Sequence, residues 1–301
     1  MINLQDFKYT DTRQVFTLDD QTAAGGVPLL KFRLFNQFEW VSHGITTRAG
    51  GVSQGIFSQL NLSYTRGDDK AAVDENFHRT AISLHAEVSD FVLTDQTHTA
   101  NVRAVTRLDR GKGIVRERDA KDIDGLVTNE PGVVLSAFFA DCVPLFFIDP
   151  VHRAVGVSHS GWRGTVARMG RETIRVMREA YGSVPDEMYC AVAPSICQAC
   201  YEVSEDVAEQ FLEQFQGAGT QLCAPKAFGK YQLNLWKANE LVLLEAGIRR
   251  EHLAVTNLCT CCNPKLLFSH RASHGKRGNF GAFIKIKEEK GETAYRVWRE
   301  S

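Results

Sequence analysis

Residues 141–164 read DCVPLFFIDPVHRAVGVSHSGWRG. Two apolar runs, PLFFIDP and RAVGVSH, stand on either side of a short turn, the pattern of an antiparallel hairpin. Both runs are apolar nearly throughout rather than alternating, which predicts strands covered on both faces. Cys142 opens the first run and His159 closes the second, seventeen positions later. A returning strand therefore brings both side chains to one sheet edge. Asp141 precedes Cys142, and Ser158, Ser160, Gly161 and Arg163 surround His159. Polar and flexible residues thus crowd the points where apolar strands should simply turn, and such local inconsistency marks functional sites. Taken singly, a histidine or a cysteine is more often buried because it fits.

Working outward, LLKFRLF and WVSHGITT read as strands, and RAGGVSQG is a glycine-rich loop. DENFHRTAISLHAE has a helical period, and FVLTDQ, NVRAVT, DGLVTN and VVLSAFFA lead strand by strand into the hairpin. After it, TVARMGRETIRVMREAYG predicts one long helix stopping at Gly182. EMYCAVAPSI returns as a strand, and SEDVAEQFLEQF is a helix with Ser204 as its cap. LNLWKANELVLLEAGI is a helix ending at Gly247, and HLAVTNLCT is a closing strand. This order predicts an α/β (α+β) fold, with a central mixed sheet covered by helices. No linker or repeat divides the chain, so a single domain over 1–301 is expected, with residues 1–40 as a strand-rich N-terminal extension.

Composition bounds the function. The chain has 301 residues, 44% of them hydrophobic, enough to bury a sizeable core. Lys+Arg 35 against Asp+Glu 36 gives a net charge of -1 without a basic tract, which argues against a nucleic-acid partner. MINLQDFKYTDTRQ lacks the basic start and apolar core of a secretory signal, and no apolar stretch is long enough to span a bilayer. Eight cysteines without an export signal predict reduced thiols in a cytoplasm.

His98, in TDQTHTANV, sits between two strand-like runs and is a third candidate beside Cys142 and His159. Two imidazoles and a thiolate suit zinc or copper and leave a position open for water or substrate. Zinc in such a site lowers the pKa of bound water to about 7. The same residues also fit a metal-free dyad in which His159 activates Cys142 as a nucleophile; His98 is superfluous there and useful to a metal. Arg48, following a strand and preceding two glycines, is a candidate phosphate ligand, as is Arg163 at the start of the expected long helix. A surface salt bridge is the plain alternative for either arginine. CQAC at 197–200 and CTCC at 259–262 look like metal motifs. Cys200 and Cys261 are sixty-one positions apart, however, and buried free thiols are the reading that this spacing favours. His270, Arg271 and His274 fall in a polar, glycine-rich segment able to complete a pocket wall.

ITTRAGGVS, TDQTHTANV, DIDGLVTN, ADCVPLFFIDP, SHSGWRGTV, APSICQACYEV and CTCCNPKLLFSHR together resemble the laccase-domain, or multicopper polyphenol oxidase, family of the bacterial YfiH and YlmD type, over about Ile45 to Ile284. The resemblance implies a single α/β domain similar in outline to a cysteine-hydrolase fold, with a metal triad falling on His98, Cys142 and His159. It also implies a zinc enzyme of purine nucleoside metabolism: phosphorolysis of adenosine, inosine, guanosine and methylthioadenosine, with adenosine deamination beside it. Arg48 would then hold phosphate near the ribose C1′, with the protein acting as a monomer or a homodimer. The older family name implies copper-dependent oxidation of phenols, but nine histidines without an HxH pair are a poor match to a trinuclear copper centre. A family member implicated in removing L-serine from peptidoglycan precursors keeps a Cys142-dependent hydrolase as the alternative. This chain departs from the family pattern at Thr99 and in RASHGKRGN, so Arg271 and Arg277 are given no site role.

Overall fold

The computed structural model describes residues 2–288; residue 1 and residues 289–301, which the single-domain reading included, lie outside the described residues. The strands in chain order are β1 (Phe16–Asp20), β2 (Pro28–Phe32), β3 (Val41–Thr46), β4 (Phe91–Leu93), β5 (Val102–Ala104), β6 (Gly125–Thr128), β7 (Val134–Phe139) and β8 (Val143–Asp149). They continue with β9 (Ala154–Ser160), β10 (Tyr189–Val192), β11 (Glu202–Ser204), β12 (Cys223–Pro225), β13 (Lys230–Leu233), β14 (Leu253–Val255) and β15 (Phe280–Ile286). The helices are α1 (Lys70–Ser83), α2 (Trp162–Val166), α3 (Met169–Tyr181), α4 (Glu205–Gln214), α5 (Gly219–Leu222) and α6 (Leu235–Glu245).

The fold is mixed α/β, and the expected central sheet is two sheets. One has the order β1-β2-β3-β15-β7-β4 and the other β14-β10-β8-β9-β6-β5; each mixes parallel and antiparallel neighbours. They lie face to face. Phe32, Ile45, Leu135, Phe139, Phe280 and Ile284 of the first pack in one buried layer with Phe146, Ile148, Val155 and Val157 of the second. The other face of β8, carrying Val143, Leu145 and Phe147, packs on Ile174 and Met177 of α3, Phe211 of α4 and Val242 of α6. On the far side, Leu29, Phe91, Val134 and Phe283 meet Val73, Phe77 and Ala81 of α1. The four layers explain the continuous apolar runs: alternate side chains enter two different cores. Phe146 touches both Phe32 and the buried His43, with ring centroids 5.8 and 6.3 Å away.

The hairpin forms where the sequence places it. Strands β8 and β9 pair antiparallel over their whole length, with Pro144 opposite His159 and Phe146 opposite Val157. Their turn is closed by Asp149, whose Oδ1 accepts from the amides of Val151 (2.9 Å) and His152 (3.0 Å). Ser158 and Ser160 point away from His159, to the helix layer. Ser158 Oγ lies 2.7 Å from Thr173 Oγ1, and Ser160 Oγ donates to Asn239 Oδ1 at 2.8 Å. Their polarity fastens helices to the sheet rather than marking a site.

Three further expectations need correction. The helix anticipated after Gly164 is two: α2 ends at Val166, and Arg168, at φ 60°, redirects the chain into α3. Gly182 does stop α3, at φ 81°. Ser204 occupies the N-cap of α4, but its side chain makes no capping hydrogen bond. The glycine-rich C-terminal segment contains β15, central to the first sheet, where Phe280, Ala282 and Ile284 alternate inward. Strands β1 and β2 continue that sheet from β3, so residues 16–32 belong to the same layer as the rest. Among the described residues, no helix is long and apolar enough to cross a membrane.

Candidate metal centre and active-site cleft

Register carries Cys142 and His159 together. Pro144 and His159 are paired across the hairpin and share the face of Phe146 and Val157; Cys142, two positions before Pro144, packs against that same layer. His98 arrives from the turn after β4, in a left-handed conformation at φ 69°. The ligand-capable atoms of His98, Cys142 and His159 all lie within 4.8 Å of one another, and Cys142 Sγ is 3.9 Å from His98 Nε2. Asp141 is also left-handed, at φ 95°. Two non-glycine residues held in that region beside three convergent ligands are backbone strain concentrated at a site.

The buried carboxylate of Asp124 organises the group, and sequence reasoning did not single it out. Its Oδ1 accepts from His159 Nδ1 at 2.8 Å and from the His98 amide at 3.2 Å. Its Oδ2 accepts from the Thr97 amide (3.2 Å), the Thr99 amide (2.8 Å) and Thr99 Oγ1 (2.8 Å). One side chain thereby holds the His98 turn and fixes a proton on His159 Nδ1, which leaves Nε2 as the ligand atom. The signal was present in DIDGLVTN, where an acidic residue stands directly before an apolar strand. Asp141 is held in turn by Thr260 Oγ1 and by the Arg271 amide, both at 2.6 Å.

Gly161 shows that the space between the ligands must stay clear. A Cβ there would sit 3.0 Å from His98 Cδ2 and 3.1 Å from Cys142 Sγ. Two imidazoles, one of them buffered by a carboxylate, and a thiolate fit a single borderline-soft ion such as zinc. Burial opposes ionisation of Cys142, but the charge and hydrogen bonds of His159 and His98 outweigh it and lower the thiol to about 6. Burial likewise opposes protonation of His159, which the Cys142 thiolate and Asp124 together raise to about 9. Without a metal the two form a thiolate–imidazolium pair.

The triad lines an open cleft of about 260 Å³, together with Tyr64, Arg66, Gln96, Arg118, Phe138, Phe139, Arg277 and Asn279. That space is on the scale of a small-ligand site. Arg277 is 9% exposed, and its Nε, buried, has no hydrogen-bond partner. Burial and the neighbouring Arg66 lower its guanidinium to about 10. The two arginines expected to bind phosphate are elsewhere. Arg48 donates from Nε to the Ser58 carbonyl at 2.7 Å and from Nη1 to the Pro264 carbonyl at 2.8 Å, with its guanidinium over Phe268, in a separate groove. It ties the glycine-rich loop to the C-terminal segment. Arg163 is exposed and stacks on Trp162 at 4.3 Å, in a five-residue helix that gives it no long-helix N-terminus. His270 and His274 do not line the cleft; Arg271 approaches it only through the amide that holds Asp141.

The model of one protein family, described as the multi-copper polyphenol oxidoreductase laccase, matches residues 42–287. The chain belongs to this family. Among laccase-family relatives, the purine nucleoside phosphorylase YlmD of Bacillus subtilis is 41% identical over 246 residues, covering 81% of this chain and 88% of YlmD. The adenosine deaminase RL5, from an unknown prokaryotic organism, is 32% identical over 246 residues, covering 81% of this chain and 94% of RL5. The crystal structure of the hypothetical protein YfiH from Bacillus licheniformis superposes with a TM-score of 0.84 at 32% identity, over 91% of this chain and all of that one.

Proposed function

We propose that this chain phosphorolyses purine nucleosides, namely adenosine, inosine, guanosine and methylthioadenosine, and also deaminates adenosine, in the cleft of His98, Cys142 and His159 with zinc as the resident ion. The observation that carries the reading is the placing of a three-ligand metal group and a buried, incompletely paired guanidinium on the walls of one cleft. The names of YlmD and RL5 support both activities. Zinc, when bound, supplies a Lewis-acidic positive charge beside the substrate.

The chain's own residues supply the rest. Arg277 and Arg66 line the cleft and repel each other, so a phosphate between them relieves that repulsion and accepts from the unpaired Nε. These two take the part expected of Arg48. Tyr64, Phe138 and Phe139 offer aromatic surface to a purine. Asp124 keeps the His159 proton on Nδ1, away from the reacting side. Zinc is favoured over copper because, among the described residues, the metal-competent groups are this triad and one set of four cysteines, neither of them a histidine-rich multicopper centre. All eight cysteines are free, which supports a reducing, cytoplasmic setting.

The test is one assay on protein of measured metal content: adenosine with and without phosphate, resolving adenine, inosine and hypoxanthine. Phosphate-dependent adenine that disappears in His98→Ala and needs more phosphate in Arg277→Ala is the expected result. Zinc-loaded protein that releases no base from any of the four nucleosides would end the proposal. The depressed thiol of Cys142 beside His159 and Asp124 favours a second reading, a Cys142-dependent hydrolase acting on peptidoglycan precursors. Its signature is activity that survives chelation and is lost on alkylation.

A further inference from the structure

For Cys197, Cys200, Cys259 and Cys262 the spacing favoured buried free thiols over the metal motifs they resemble. Instead the fold brings their four sulfurs within 4.8 Å of one another, and Cys200 Sγ lies 3.5 Å from Cys262 Sγ. We propose that these four cysteines form a second metal site, a tetrahedral zinc centre with a structural role, separate from the His98, Cys142 and His159 group.

Geometry and chemistry both point to a single ion. Four thiolates at about 2.3 Å from a tetrahedral zinc stand about 3.8 Å apart, within the spread of this cluster. A multi-iron cluster would push the sulfurs farther apart, and all four cysteines are free of disulfides. Each pair is a CxxC, and each occupies a tight turn. The Cys200 amide donates to the Cys197 carbonyl at 3.1 Å, and the Asn263 amide to the Thr260 carbonyl at 3.2 Å. Two backbone amides, of Cys197 at 3.2 Å and of Cys262 at 3.4 Å, point at Cys259 Sγ. Such N–H donors offset the negative charge of a metal-bound thiolate. Cys261, which interrupts the second pair, is not part of the group.

The location gives the role. The first pair lies between β10 and β11 and the second after β14, segments otherwise joined here by an isolated bridge between Ser195 and Cys259 and by the Thr260 amide donating to the Ser195 carbonyl at 3.1 Å. These segments cradle Asp141. Its carbonyl accepts from the Ile196 amide at 3.0 Å, and its carboxylate from Thr260 and Arg271. Arg271 closes the frame by donating to the carbonyls of Cys200 (3.2 Å) and Glu202 (2.7 Å). A zinc ion clamping the two segments holds the left-handed Asp141, and therefore the adjacent Cys142, in place.

The test uses full-length protein purified without chelator under reducing conditions, with metals measured by inductively coupled plasma mass spectrometry. The wild type is expected to carry about two zinc ions per chain and the His98→Ala/His159→Ala variant about one. On cobalt substitution that variant should show the strong thiolate-to-cobalt charge-transfer band of a four-sulfur site. Cys200→Ser/Cys262→Ser should lose one ion and unfold at lower temperature. Because the triad variant keeps all four cysteines, it decides the matter even if the serine variant does not fold. A triad variant with no bound zinc, with iron in its place, or with an intact mass reduced by disulfide formation would overturn the proposal, whatever reaction the cleft catalyses.

Discussion

Replacing Asp124 by Asn alters one atom and should disable the metal centre. The carboxylate takes five donors on two oxygens: His159 Nδ1 and the His98 amide on Oδ1, and the Thr97 amide, Thr99 amide and Thr99 hydroxyl on Oδ2. An amide can accept on one side only. If its oxygen stays with the three threonine donors, its NH2 faces His159 and turns that ring to the tautomer whose proton sits on Nε2, the atom needed for a metal. If it is flipped, the threonine amides of the His98 turn lose their acceptor. Burial would raise the Asp124 carboxyl, but His159 and Thr99 hold it below the usual range, so the native group is an anion and the substitution also removes a charge. Loss of such a partner weakens metal binding about 10- to 100-fold, and each stranded buried donor costs about 1–3 kcal/mol of stability. Competition with a chromogenic chelator reads the affinity, and thermal unfolding of metal-free protein reads the stability. An Asp124→Asn variant that binds zinc within about threefold of wild type, well short of the loss expected for a missing ligand partner, would refute the claim that Asp124 sets the His159 tautomer.

Gly161→Ala should lower zinc affinity on the order of tenfold while leaving the fold intact, because Gly161 has an ordinary φ of -70° and the atoms nearest its new Cβ would be those of the ligand side chains. Undiminished affinity in the same chelator competition would contradict that packing. In metal-free protein, Cys142 should alkylate at a rate that is level above neutrality and falls as pH drops through about 6, since its pKa is lowered and the thiolate persists down to that value. A rate that keeps climbing through about 8.5, as for a free thiol, would rule out the ion pair with His159. Phe146→Ala should cost about 3–5 kcal/mol, because this ring is fully buried between the two sheets against Phe32 and His43. A loss under about 1 kcal/mol in urea unfolding would be too small for a cavity at that position.

What the sequence disclosed depended on whether the deciding contacts were local. The hairpin was legible because its pairing partners are neighbours in the chain and its turn has Asp and Pro where a turn needs them. Cys142 and His159 inherited their meeting from it. That there are two stacked sheets was not legible, since a strand buried between a sheet and a helix layer has the same apolar run as one buried between two helix layers. Strand β15 was obscured by Gly278 and Gly281 and by the polar stretch before it, while its partners β3 and β7 lie far earlier in the chain. Asp124 was missed for the same reason, since it acts on groups that only tertiary structure brings near; Arg277 was set aside because its segment departs from the family pattern, and the fold places it on the cleft wall all the same. Arg48 illustrates the converse. Its arginine-glycine context is as good for tying two loops together through carbonyls as for holding an anion. The two CxxC motifs lay too far apart for a spacing rule to join them, and the bridge between Ser195 and Cys259 does so.

The hairpin also divides the molecule into a chemical end and a spare end. Cys142 and His159 stand at one limit of β8 and β9, and the turn from Asp149 to Arg153 at the other, about seven residues of strand or some 20 Å away. The antiparallel ladder between them pairs the site's two strands over their whole length, and in the turn itself Val151 is already exposed. A fluorophore, an affinity tag or a surface anchor grafted between Val151 and Arg153 would therefore give a handle on the protein that reports from, or immobilises, the side opposite the chemistry.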